Sequence, residues 1–156
     1  MPQSPDVPLD GLYGDLILEH FRSPRNRGIL AEADLESEEF NPFCGDRIIL
    51  QLKFDDSGSV VEVGIQSEGC SIIQATASLM SEAMKGKNLD DLDTLALAFR
   101  DTMYGKNEGV NSSVNLGPLK SLAVVRQFPV RIKCALLPWV ALEEGVKKYR
   151  SSLFSA

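Results

Sequence analysis

The chain has 156 residues, 44% apolar and 24% charged, a length and balance that suit one domain able to bury its own core and that exclude a disulfide-stapled miniprotein. Its 16 Lys and Arg against 22 Asp and Glu leave a net charge of -6, which repels a phosphate backbone and argues against a nucleic-acid partner. No apolar run approaches the roughly 18 to 20 residues that span a bilayer, so no membrane partner is expected.

The opening MPQSPDVPLD has neither a basic leader before an apolar block nor an Arg-rich amphipathic pattern, and a cytoplasmic location is expected. Residues 1–8 read as a flexible Pro-rich segment, 9–150 as a single domain and 151–156 as a tail.

Beyond Asp10, an N-cap candidate, Leu12, Tyr13, Leu16, Ile17 and Phe21 recur at helical spacing until Ser23-Pro24 stops them. Arg22, Arg25 and Arg27 surround the turn SPRNRG, and five acids follow between Glu32 and Glu39; solvated loops are the simplest expectation for this charge segregation. Ile48, Leu50, Leu52 and Phe54 then alternate with other residues, Asp55-Asp56-Ser57-Gly58 supplies turn chemistry, and Val61, Val63 and Ile65 alternate again. The pattern predicts a hairpin, joined by an earlier strand near Glu36 to Asn41.

After Gly69-Cys70 the period changes to about 3.6 through Ile72, Ile73, Thr76, Leu79, Met80 and Ala83, closing at Gly86. Leu89, Leu92, Leu95, Ala96, Phe99 and Met103 give a further helix, and Leu119, Leu122 and Ala123 a short one ended by Pro129. Strands followed by helices predict an α+β fold.

Cys44, Cys70 and Cys134 are odd in number and suggest no closed disulfide framework. In a reducing compartment they read as buried thiols, a redox site or metal ligands. Cys44-Gly45-Asp46 sets a thiol and a carboxylate two positions apart, with Gly45 free to bend the backbone between them, and such a pair can chelate. Cys70 falls at a helix N-terminus, where the macrodipole and free N–H groups favour thiolate. Cys134 follows Arg131 and Lys133, whose charges lower a thiol pKa where they share its face. The spacing of the three matches no local zinc-finger pattern and leaves ordinary buried cysteines open.

NPFCGDRI, GCSIIQATASLM and FPVRIKCALLPWVALEEGV resemble, in order, the three cysteine motifs of the IscU/NifU-like iron-sulfur cluster assembly family, and LYGDLILEHFRSPRNRG resembles its leading helix and basic turn. The resemblance runs from about Leu9 to Lys148 and implies an IscU-like fold, a small antiparallel three-stranded sheet packed with helices. The family's cluster scaffolds carry His immediately before the third cysteine; this chain has Lys133 there, and its only histidine is His20. It also carries an extra segment, roughly Arg100 to Leu119. Both departures resemble the SufU branch.

That resemblance implies a zinc-dependent, sulfurtransferase-like carrier that takes persulfide sulfur from a SufS-type cysteine desulfurase and serves the iron-sulfur assembly machinery. It implies Cys44, Asp46, Cys70 and Cys134 as zinc ligands and Cys44 as the persulfide-accepting residue. The alternatives are an IscU-type scaffold, with an iron-sulfur cluster on the same four ligands, and a purely structural zinc.

Three thiolates and a carboxylate exceed the charge of zinc by two, so nearby cations are required, and Arg131, Lys133 and Arg47 are the candidates, Arg131 first. A site closed by four protein ligands disfavours zinc hydrolysis, since catalytic zinc keeps an open position. It instead suits a Cys44 thiolate that is held, released and then attacks sulfur. Pro138 removes the N–H that would bond the Cys134 carbonyl, predicting a kinked helix or a shifted helix start. Trp139, Phe99, Met80 and Met103 read as packing residues, and His20 as a helix-surface or packing residue.

Overall fold

Ile48, Leu50 and Leu52 alternate with half-exposed neighbours and are fully buried, and this alternation organises the molecule around one face of a sheet. A computed structural model describes residues 14–42, 45–105 and 116–154. Three strands, β1 (Leu35–Asn41), β2 (Asp46–Phe54) and β3 (Val60–Glu68), form an antiparallel meander in the order β1-β2-β3. Asn41 pairs with Asp46 and Arg47 with Glu68, so the β1–β2 loop and the end of β3 share one end of the sheet. The expected Asp55–Gly58 turn closes the β2–β3 hairpin, with Asp55 Oδ1 accepting from the backbone nitrogens of Ser57 and Ser59.

The first helix, α1, spans Gly14–Arg22. Helices α2 (Ser71–Met84) and α3 (Leu89–Met103), a 3-10 helix (Gly117–Gln127) and α4 (Pro129–Phe154) follow the sheet. Asn88 caps α3 by accepting from Asp91 N at 2.8 Å. Most of α2 is buried, because it packs against α1, α4 and β3 at once. Helix α4 lies across β1, β2, α2 and α3, and Phe99 stacks on Trp139 at 4.7 Å to join α3 to it. Met80 and Met103 are also in the core. These are the α+β class and the three-stranded antiparallel sheet that the resemblance implied.

Two features go beyond the sequence expectations. The basic turn is not simply solvated: Gly28 N donates to Ile65 O, and Ile65 N donates to Asn26 O, both at 2.9 Å, stitching the turn to the outer edge of β3. Helix α4 continues through Pro138 to Phe154, into the expected tail 151–156. The expected segment 1–8, residues 106–115 within the expected extra segment of roughly Arg100 to Leu119, and Cys44 itself lie outside the described residues.

Candidate metal centre

Three chain segments meet at the end of the sheet where β2 begins and β3 ends. Gly45 takes φ +73°, the bend expected of it, and delivers Asp46 as the first residue of β2, 1% exposed. At the end of β3, Gly69 takes φ +131°, and the chain turns directly into α2 with Cys70 as N-cap. Cys134, in the second turn of α4, is 1% exposed and faces the same point. The ligand atoms of Asp46, Cys70 and Cys134 all lie within 4.8 Å of one another.

The backbone fixes the carboxylate. Cys70 N donates to Asp46 Oδ1 at 3.1 Å, and Asp46 Oδ2 lies 3.9 Å from Cys70 Sγ. Oδ1 thus occupies the anion-favouring start of α2.

The two thiols are unequal. A hydrogen bond from Cys134, supported by the N–H groups of Ile73 and Ile72, brings the Cys70 thiol down to about 6 against the opposition of burial and the Asp46 charge. Cys134 moves the other way: its proton is held by the hydrogen bond to Cys70, then by burial, then by Asp46. The closeness of the two sulfurs to each other and to the Asp46 carboxylate, together with burial, therefore opposes ionising both thiols at once. Two soft sulfurs and a carboxylate, short of positive charge, are a donor set that suits zinc.

The three expected cations differ in placement. Arg131 Nη1 lies 3.9 Å from Cys134 Sγ, on the cluster. Lys133 is exposed and lines a cleft of about 520 Å3 with Phe40, Tyr104, Leu137 and Val140. Arg47 is paired with Glu38 on the exposed face of the sheet. His20 is no ligand here: it is buried in α1, with Nδ1 2.7 Å from Ser78 Oγ. Sequence reading passed over Gly69, whose signal was its place at the junction of strand and helix.

The chain is similar to known proteins in both sequence and fold. Residues 12–156 match the NifU-like N terminal domain family. The chain is 44% identical to the zinc-dependent sulfurtransferase SufU of Bacillus subtilis, over 90% of this chain and 92% of that protein. It is 34% identical to the iron-sulfur cluster assembly scaffold protein IscU of Streptococcus pyogenes, over 90% of this chain and 86% of that one. The crystal structure of a protein described as an iron-sulfur cluster assembly scaffold for the SUF system, from Fervidobacterium islandicum, superposes with a TM-score of 0.76 at 30% identity, covering 85% of this chain and 94% of that one.

Proposed function

The chain belongs to the NifU-like N-terminal domain family, and from that membership and the Asp46–Cys70–Cys134 cluster we propose a zinc-dependent sulfur carrier that accepts persulfide sulfur from a SufS-type cysteine desulfurase for cytoplasmic iron-sulfur assembly. The observation that carries this reading is the convergence of two thiol sulfurs and a buried carboxylate within 4.8 Å. Cys44, two positions before Asp46, completes a four-ligand set with them. Zinc, when bound, supplies the positive charge that keeps all the thiols ionised near neutral pH.

The chain's own residues divide the remaining work. Cys70 N holds the Asp46 carboxylate, and Arg131 sets a cation against Cys134 Sγ. The Cys44 thiolate attacks the terminal sulfur of the desulfurase persulfide. A new S–S bond forms on Cys44, the S–S bond of the donor breaks, and the donor cysteine leaves as a thiolate. No oxidant or reductant enters, and the extra sulfur keeps its oxidation level.

Metal analysis and desulfurase assays test the proposal together. Freshly isolated protein should hold a single zinc per chain and accelerate cysteine turnover by the desulfurase, with Cys44→Ser losing the acceleration. Protein that carries an iron-sulfur chromophore and no zinc would support the scaffold reading instead.

A further inference from the structure

Gly69 stands against the Asp46 carboxylate with no side chain between them. A Cβ built on it would fall 2.1 Å from Asp46 Oδ1 and 2.9 Å from Asp46 Cγ. Such separations do not occur between unbonded atoms, so any side chain at 69 must displace the carboxylate. The same Oδ1 accepts from Cys70 N at 3.1 Å. Gly69 also has φ +131°, a backbone conformation that glycine adopts without strain.

We infer that Gly69 is the positioning residue of the metal centre: by leaving its Cβ volume empty, it seats Asp46 Oδ1 on the Cys70 N–H and leaves Oδ2 as the oxygen offered beside the sulfurs. Asp46 therefore contributes one oxygen in a fixed orientation. This rests on the proposal that Asp46 is a zinc ligand, and assigns its placement to a residue that touches no metal. A Cβ at 69 also falls 3.0 Å from Asp46 Cα, and the positive φ adds backbone strain of its own, so the test separates displacement of the carboxylate from displacement of the backbone.

Two comparisons isolate that role. Gly58 also has positive φ, +87°, but a Cβ there meets nothing within 4 Å, so Gly58→Ala carries left-handed strain alone. Asp46→Ala removes the atoms that a Cβ on residue 69 would strike most closely. Zinc affinity is measured by competition with a chromophoric chelator, and cobalt(II) bound in place of zinc reports the ligand set through its visible absorption.

Gly69→Ala should weaken zinc binding about 10- to 100-fold, the range for residues that orient metal ligands, and shift the cobalt spectrum toward that of Asp46→Ala. Gly58→Ala should leave both unchanged. In the Asp46→Ala background, Gly69→Ala should cost no further affinity. Equal losses in both backgrounds, or a Gly69→Ala protein with the parent affinity and spectrum, would overturn the inference. If Gly69→Ala alone does not fold, folding of the Asp46→Ala/Gly69→Ala double variant supports the inference and its failure to fold contradicts it. Asp46→Ala with the parent zinc affinity would instead remove Asp46 from the ligand set.

Discussion

Arg131 Nη1 lies 3.9 Å from Cys134 Sγ, one helical turn before it on α4. That spacing puts a guanidinium on the face of the helix that carries the buried thiol, whereas Lys133, though adjacent in sequence, points to the exposed cleft beside Phe40. Arg131→Ala should therefore weaken zinc binding about tenfold and slow sulfur transfer, while Lys133→Ala and Lys147→Ala should have little effect on zinc. Chelator competition on the three variants checks this; equal small losses would make Arg131 a solvated charge.

The unequal thiols give a labelling pattern in metal-free protein. Cys70 becomes thiolate as pH rises through about 6, because Cys134 donates to it. Cys134 keeps its proton throughout the neutral range. Iodoacetamide at pH 7 should modify Cys70 well before Cys134, as read by peptide mass spectrometry, and zinc should protect both. Faster modification of Cys134 would contradict the direction of the hydrogen bond.

His20 supplies a pH-dependent element of stability. Burial, then the charge of Arg25, lowers its pKa below 6.5, with Glu82 and Glu19 opposing. Between that lowered value and 6.5 the unfolded chain binds more protons than the folded one, so stability rises with pH. The contribution is fully present above 6.5 and is lost as pH falls toward the folded value. Urea denaturation from pH 7.5 down to 5.5 should show a decline in the parent that is flatter in His20→Gln. An identical slope in both would place the pH dependence elsewhere.

The strands were legible because Ile48, Leu50 and Leu52 bury one face while Arg47, Ile49 and Gln51 leave the other more open, a period that only a half-covered sheet produces. Cys70 at the start of α2 was legible from the switch of period at Gly69. Contacts between distant segments were not. His20 and Ser78 are 58 positions apart, and nothing local in α1 says that its histidine is buried against α2. Pro138 predicts a kinked helix or a shifted start from a rule about local hydrogen bonding. In the fold, the buried residues on either side, from Cys134 to Leu142, hold the helix continuous through it. Of the candidate site, Asp46, Cys70 and Cys134 converge, and Arg131 joins them. Gly69 escaped because its role depends on a carboxylate 23 positions earlier, a relationship visible only in three dimensions.

In the proposed transfer, Cys44 is the residue that accepts the sulfur. Zinc-loaded protein turned over with a SufS-type cysteine desulfurase and cysteine, then alkylated, digested and analysed by mass spectrometry, tests it most directly. One extra sulfur is expected on the Cys44 peptide, and none on any peptide of Cys44→Ser. Extra sulfur found only on Cys134 or Cys70, or undiminished in Cys44→Ser, would contradict it.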